Sequence, residues 1–197
     1  MKGETNTLIF LMDIDGHEGL TDKFTTQYRT YAFQDLINDS YLDRNRIAIA
    51  STGFDYDRSM ELYKQATLDR KYKWVKVKKT DDFSLLEKKL LDVGFSLTPK
   101  KTNIIYGGTN TSGCVLHSSN FSINKFCMQG FYCNLYLPLC DDAHIPGINS
   151  IDRNQKAFSE VYTFLKTRDL IEKVDITTRF GDLVLPKSNK RFDYVST

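Results

Sequence analysis

A cysteine follows a run of small, turn-forming residues in GGTNTSGCVLHS, from Gly107 to Ser118. The apolar, β-branched residues before this run predict a buried strand, and the residues after Cys114 favour a helix. Cys114 would then lie in the first turn of a helix, where the helix dipole lowers the pKa of a thiol. A thiolate beside backbone amide donors suits acyl transfer, because the amides stabilise the tetrahedral oxyanion. The alternative is a buried structural cysteine in a glycine-rich turn.

Acidic and basic candidates follow two other predicted strands. Asp13 ends the most apolar run, TLIFLMD, where a carboxylate either has a structural role or shuttles a proton. Asp15 lies two residues further on, so the residues alone do not decide between the two acids. The run KYKWVKVKK ends in Lys78 and Lys79 and contains no acid. A lysine here could balance the carboxylate and favour the thiolate, or it could be a solvated strand-edge residue.

The elements that must position these side chains alternate between strands and helices. Ser84 and Glu87 have the spacing of a capping box, and Gly94 is expected to end the helix that they begin. The alternation predicts an α/β domain with a parallel sheet covered on both faces, in which ligands bind beyond the carboxyl ends of the strands. Hydrophobic periodicity predicts strands at 7–13, 46–52, 73–79, 103–107, 131–141 and 173–178, and helices at 22–39, 84–94, 111–129 and 152–171.

Composition limits the classes of function. The chain has 197 residues, which suits one domain over residues 1–197 with a polar tail from about 187 to 197. A net charge of +2 argues against general binding to nucleic acid or membranes, and the basic strip at 71–79 lacks a nucleic-acid motif. The N-terminus is a poor signal peptide, so we expect a cytoplasmic protein with reduced thiols. The cysteine spacing matches no zinc site.

Several segments resemble the isochorismatase-like cysteine hydrolases. GTNTSGCV, from Gly108 to Val115, resembles their nucleophile motif and is most similar to the N-carbamoylsarcosine amidohydrolase branch. LIFLMDID resembles the first strand of the family, which ends in the catalytic aspartate, here Asp13. KKTDDFSLLEKKLLDVGF resembles the segment of the catalytic lysine, and the position of Phe83 selects Lys78, with Lys79 as the close alternative. GFYCNLYLPLCDDA resembles the fifth strand of the family.

The resemblance implies a Rossmann-like three-layer α/β/α domain with a six-stranded, mainly parallel sheet. It also implies a catalytic triad of Asp13, Lys78 and Cys114 and no cofactor. In the family the aspartate takes the thiol proton, the lysine supports the charges, and the cysteine forms an acyl-enzyme that water cleaves. The family pattern places an oxyanion hole at the backbone amides of Asn110 and Cys114, beside a cis peptide between Thr109 and Asn110.

The sequence also departs from the family pattern. Asp15 stands where the family usually has glutamine, and GHEGL replaces an N-D-F segment. His17 and Glu18 could therefore line the pocket or be exposed loop residues. The nicotinamidase branch binds a metal through a D-x-H…H set, and none of His17, His117 and His144 has that context. The pattern therefore argues against a required metal.

Two functions remain at this point. The first is a cysteine hydrolase that cleaves a C–N bond of a small amide, carbamoyl or ureido compound. Its substrate-pocket candidates are Asp15, His17, Thr109 and Lys79, and its expected partners are a small-molecule substrate and copies of itself in a dimer or tetramer. The alternative is a catalytically inactive binding or assembly protein of the same fold. The altered loop after Asp13 and the shortened segment between the second and third strands motivate this alternative.

Overall fold

Six parallel strands form the centre of the molecule. The computed structural model describes residues 6–13, 23–38, 46–52, 63–64, 67, 72–109, 111–140, 159, 162–170 and 172–177. Within these, the sheet has the order β3-β2-β1-β4-β5-β6, and each neighbouring pair is parallel. The strands are β1 (Asn6–Met12), β2 (Ile47–Ser51), β3 (Lys73–Lys76), β4 (Thr102–Gly108), β5 (Tyr132–Cys140) and β6 (Val174–Thr177).

Both faces of the sheet are covered, because the side chains of β1 alternate between two hydrophobic clusters. Leu8 and Phe10 lie in one cluster, while Ile9 and Leu11 lie in the other. A strand that is buried on both faces needs a continuous apolar run, which is what the sequence of β1 provides. Helix α1 (Lys23–Asn38) supplies the cover on one face, and α2 (Phe83–Asp92), α3 (Ile123–Met128) and α4 (162–167) supply it on the other. The predicted three-layer α/β/α fold is confirmed.

The strand order determines where a ligand would bind. The order 3-2-1-4-5-6 is that of Rossmann-type sheets, in which the direction of strand addition reverses between β1 and β4. A crevice therefore opens beyond the carboxyl ends of these two strands. Asp13 follows β1, and the segment that contains Cys114 follows β4. Both predicted residues thus leave the sheet at the crevice.

Helix α2 begins earlier than the sequence predicted. Its N-cap is Asp82, whose side-chain oxygen accepts a hydrogen bond of 2.8 Å from the N–H of Leu85. The predicted capping box of Ser84 and Glu87 is therefore wrong, because the carboxylate of Asp82, two residues earlier, caps the helix instead. Gly94 ends the helix as predicted, with a φ of 72° that favours glycine.

The single helix that was predicted over 111–129 is two helices. Thr111–Ser118 is a π-helix, and α3 follows after a short break. Phe121 lies in the break, where its ring packs 5.5 Å from that of Phe10 and its carbonyl accepts a 2.8 Å hydrogen bond from the Tyr106 hydroxyl. The break thus lets an aromatic side chain enter the core while a buried tyrosine hydroxyl is satisfied.

Strand β3 is shorter than predicted, since it ends at Lys76 and the residues from 77 to 82 form a loop. This loop carries Lys78 and Lys79. The other strand and helix bounds agree with the sequence within about two residues, apart from the helix predicted at 152–171, which is described at 159 and 162–167. The predicted tail at 187–197 lies outside the described residues. No described helix has the length and apolar character needed to cross a membrane.

Candidate active site

Asp13 is held at the end of β1 in an unusual backbone conformation. Its φ is 51°, in the left-handed region that non-glycine residues rarely adopt. Its N–H donates a 3.1 Å hydrogen bond to Oγ1 of Thr52, the residue after β2. This residue lies directly at the crevice, and strain of this kind tends to occur at functional sites. The hydrogen bond holds the backbone of Asp13 beside the end of β2.

Lys79 forms an ion pair with Asp13. Its Nζ lies 2.9 Å from Oδ1 of Asp13, and the two side chains are 40% and 10% exposed, respectively. The contact is close but is not aligned as a hydrogen bond. Lys78 is exposed, and its backbone N–H donates a 2.9 Å hydrogen bond to Oδ2 of Asp81. Of the two lysines considered, the structure therefore brings Lys79, and not Lys78, to the aspartate.

Two glycines let β4 approach its neighbours closely. A Cβ on Gly108 would lie 2.3 Å from the carbonyl oxygen of Met12, and one on Gly107 would lie 2.5 Å from Cβ of Leu139. Thr109 continues the contact, since its N–H donates a 3.1 Å hydrogen bond to the Met12 carbonyl. The sequence suggested that these glycines allow a tight turn, but neither has a positive φ. Their role is close packing, which brings the end of β4 against the end of β1.

Cys114 is the fourth residue of the π-helix and is partly buried. It opens onto a cavity of about 130 Å³ that also contains the side chains of Asp13 and Lys79. The structure thus brings together a thiol, a carboxylate and an ammonium from three separate segments. The full lining is Met12, Asp13, Thr52, Lys79, Cys114, Ser118, Ser119 and Asn120.

The pKa of the Cys114 thiol is raised, which contradicts the lowered value that the sequence predicted. Burial of the thiol raises it most, and a hydrogen bond from Ser118 opposes this. The Asp13 carboxylate raises the pKa further, both as a hydrogen-bond acceptor and as a negative charge, while Lys79 lowers it. A helix start was visible in the sequence, but the burial and the neighbouring carboxylate were not. The free site therefore holds a neutral thiol beside a carboxylate that can accept its proton.

Of the remaining predicted pocket residues, Thr109 is described, and it does not line this cavity. Thr109 is buried, and Asp15, His17 and Asn110 lie outside the described residues. The predicted cis peptide at Thr109–Asn110 and the predicted oxyanion-hole amide of Asn110 lie outside them as well. Among the residues that are described, no peptide bond is cis.

Sequence reasoning missed four polar residues of the cavity. Thr52 could have been found, because it ends a buried strand as Asp13 does, at the edge where ligands bind. Ser118, Ser119 and Asn120 had no such signal, since their position depends on the break after the π-helix.

The other three cysteines belong to the core. Cys127, Cys133 and Cys140 are buried, and the sulfur atoms of Cys127 and Cys133 lie 3.8 Å apart. All four cysteines are free thiols. No group of three histidine, cysteine or acidic side chains suited to a metal ion occurs in the part of the chain that the structure describes.

Solved structures with a similar fold include three proteins. The YcaC gene product of Escherichia coli, an octameric hydrolase of unknown specificity, is 12% identical with a TM-score of 0.53 over 91% of this chain and 78% of its own. The nicotinamidase SaPncA from Staphylococcus aureus is 16% identical, with a TM-score of 0.51 over 87% of this chain and 98% of its own. The chain has the isochorismatase-like fold. The MAR1 ribonuclease from Caenorhabditis elegans has a similar fold, at 16% identity and with a TM-score of 0.51 over 94% of this chain and 98% of its own.

The sequence matches no family model and no curated protein. At identities this low, the likeness concerns the fold and not the reaction. The chemistry must be argued from the side chains in the crevice.

Proposed function

We propose that the protein is a cysteine hydrolase that cleaves a C–N bond of a small amide, carbamoyl or ureido compound through a covalent acyl-enzyme. One observation carries the proposal: Cys114 and Asp13 line the same cavity, and Oδ1 of Asp13 lies 2.9 Å from the Lys79 ammonium. A nucleophile that shares a cavity with its base, while a third group contacts that base, is an arrangement suited to nucleophilic catalysis.

Acylation begins with the thiol proton. Asp13 takes this proton as Sγ of Cys114 attacks the substrate carbonyl, so that the carboxylate becomes neutral and the substrate oxygen becomes negative. The tetrahedral intermediate then collapses, the C–N bond breaks, and the leaving nitrogen takes the proton back from Asp13. An amine or ammonia departs, and the acyl group stays on sulfur as a thioester.

Deacylation repeats the proton transfer with water. Asp13 accepts a proton from the attacking water molecule, and the new tetrahedral intermediate expels the sulfur. The thiolate takes the proton from Asp13, and the acid product leaves. The sum of both stages is one amide and one water converted into one acid and one amine, with the enzyme unchanged.

Lys79 takes the role that the family pattern placed on Lys78. When Asp13 holds a proton, its charge is lost and the negative charge lies on sulfur or on the substrate oxygen. An ammonium at this position would stabilise the negative charge in each of these states, because Lys79 and Cys114 line the same cavity. Lys78 is exposed and has no contact with Asp13.

The oxyanion would be bound by backbone amides at the start of the π-helix. Cys114 lies in its first turn, where the N–H groups point out of the positive end of the helix. We assign the amides of Cys114 and Asn110 to this task, as the family pattern implies. The thiol and its oxyanion donor would then come from the same short segment after β4.

The structural neighbours support hydrolysis, but they do not indicate which kind of bond is cleaved. One is a nicotinamidase, whereas another is a ribonuclease, so the fold accommodates more than one chemistry. A thiol with a carboxylate base favours attack on a carbonyl carbon, and this choice leads to an amide-type substrate. The cavity of about 130 Å³ that the described residues form fits a small acyl group.

The experiment is a screen of small amides, carbamoyl and ureido compounds that measures the release of ammonia or amine. We expect turnover by the wild type and none by Cys114→Ala, with a near-normal fold by circular dichroism. Cys127→Ala is the matched control, because it removes a buried thiol that does not line the cavity, and it should retain activity. Activity that survives in Cys114→Ala would contradict the mechanism. Inactivity of the wild type against the whole panel would favour the binding or assembly alternative.

We also propose that the chain forms a homo-oligomer. Its structural neighbour YcaC is octameric, and the described surface carries exposed large apolar side chains such as Leu91 and Met128. Light scattering coupled to size-exclusion chromatography gives the molar mass directly. A monomer across the accessible concentration range would contradict this proposal.

A further inference from the structure

The loop that carries Lys79 is fastened by a buried acid, Asp81. This residue is 7% exposed, and its Oδ2 accepts a 2.9 Å hydrogen bond from the backbone N–H of Lys78. Its own N–H donates a 3.0 Å hydrogen bond back to the Lys78 carbonyl. These two bonds close a tight turn around residues 78–81, and Lys79 lies at the outer corner of this turn.

The same acid joins the turn to helix α2. The ammonium of Lys89, on that helix, contacts Oδ2 of Asp81 and also donates a 3.0 Å hydrogen bond to the carbonyl of Lys76, the last residue of β3. Lys89 is therefore a bridge between the strand before the turn and the acid inside it. The helix in turn is anchored to the core through Leu86 and Leu90.

A third segment contacts Asp81 from the side of the cavity. Nδ2 of Asn120 donates a 3.2 Å hydrogen bond to the Asp81 carbonyl. Asn120 itself lines the cavity, together with Ser118 and Ser119. Asp81 thus connects the lysine turn, helix α2 and the segment after the π-helix, yet it does not line the cavity and cannot touch a substrate there.

We propose that Asp81 is a positioning residue, which with Lys89 holds the turn so that the Lys79 ammonium reaches Asp13. The proposal rests on the proposed function, because it assigns the network a purpose in the same site. Burial alone would raise the pKa of Asp81, but the Lys89 ammonium and the Lys78 N–H outweigh it and lower the pKa. The acid is therefore charged at neutral pH and holds the turn as an anion.

The alternative is that Asp81 only stabilises α2, and the neighbouring acid provides a matched control. Asp82 caps the same helix through Leu85 and has no side-chain contact with Lys78 or Lys89. Asp82→Ala should therefore weaken the helix without releasing the turn. Asp81→Asn keeps the size of the side chain but removes the charge that binds Lys89.

The readout is the alkylation rate of Cys114 by iodoacetamide as a function of pH, resolved by peptide mass. The groups that face its thiol are Asp13, Lys79 and Ser118, and of the two charged ones only Lys79 favours the thiolate. Release of Lys79 should slow alkylation near pH 8 by about three- to tenfold in Asp81→Asn. Asp82→Ala should leave the profile unchanged even if it unfolds at a lower denaturant concentration.

Two further variants keep the test decisive if Asp81→Asn does not fold. Lys89→Met should slow alkylation of Cys114 in the same direction, and Lys89→Arg should restore it in part, because a guanidinium can still pair with the carboxylate. Equal alkylation of Cys114 in the wild type, Asp81→Asn and Lys89→Met would overturn the proposal.

Alkylation does not require turnover, so the two proposals can fail separately. A shifted profile in a protein that hydrolyses no amide would refute the proposed function and leave the positioning role intact. An unshifted profile in an active hydrolase would refute only the role of Asp81.

Discussion

Replacement of Asp13 by asparagine should raise the alkylation rate of Cys114 and at the same time lower the rate of hydrolysis. The carboxylate raises the pKa of the thiol through a hydrogen bond and through its charge, whereas Lys79 lowers it. Asp13→Asn removes the negative charge and leaves the ammonium in place. The thiolate should therefore form more readily, and Cys114 should react faster with iodoacetamide than in the wild type. Hydrolysis, in contrast, should be lost with the base.

The size of each effect follows from the geometry. A unit charge about 4 Å away is worth about 1 kcal/mol in water and about 4 kcal/mol at an effective dielectric constant of 20. Cys114 is partly buried but opens onto the cavity, so we expect about 1–2 kcal/mol. This corresponds to a rise in alkylation rate of about five- to thirtyfold below the pKa of the thiol. Loss of a general base typically lowers turnover by about 10²- to 10⁴-fold.

The assay measures alkylation of each cysteine by peptide mass between pH 6 and about pH 10, beside amine release from the best substrate of the panel. Asp92→Asn is the control, because it removes an exposed carboxylate at the end of α2. It should change neither quantity. A parallel fall of alkylation and hydrolysis in Asp13→Asn would refute the reasoning, since it would mean that Asp13 stabilises the thiolate. Retained hydrolysis would refute its role as the base.

Three other predictions concern the lysine, the glycines and the buried acid. Lys79→Met should lower kcat/KM by about tenfold or more, because it removes the ammonium that stabilises negative charge on sulfur and on the substrate oxygen. Lys78→Met should change kcat/KM by less than about twofold, because its side chain is exposed. Equal losses in the two variants would contradict the assignment of Lys79. Gly108→Ala should lower the free energy of unfolding by at least about 2 kcal/mol, because the added Cβ would meet the Met12 carbonyl. Gly94→Ala has room for the added Cβ and should lower the free energy of unfolding by about 1 kcal/mol through its positive φ. Urea denaturation measures both values. Folding lowers the pKa of Asp81, so the charged carboxylate should stabilise the protein above about pH 4, and this stabilisation should disappear as the pH falls. The free energies of unfolding of Asp81→Asn and the wild type should therefore differ at pH 7 and converge in acid.

The fold could be predicted because its determinants are local. The continuous apolar run of β1 requires burial on both faces, and this property alone indicates the centre of a parallel sheet. Gly94 ends α2 because its positive φ suits glycine, which is also readable from one residue. The break after the π-helix could not be read in this way, because it depends on the fit of Phe121 against Phe10 and Tyr106, which come from other strands.

The site could be predicted only in part, because some of its properties depend on contacts between segments that are distant in the sequence. Asp13 and Cys114 follow buried strands, so their convergence follows from the topology of the sheet. The choice between Lys78 and Lys79 depends on the turn that Asp81 closes, and spacing along the chain does not contain this information. The pKa of Cys114 was predicted in the wrong direction because its main causes are burial and a carboxylate from a distant segment.

The most direct test of the central claim is a pre-steady-state reaction with p-nitrophenyl acetate, an activated acyl donor that needs no knowledge of the natural substrate. If Cys114 is the nucleophile, the protein should release a burst of about one p-nitrophenol per chain. Peptide mass analysis should then locate the acetyl group on Cys114, and Cys114→Ala should show no burst. A burst that persists in Cys114→Ala, or an acetyl group on another residue, would contradict the account.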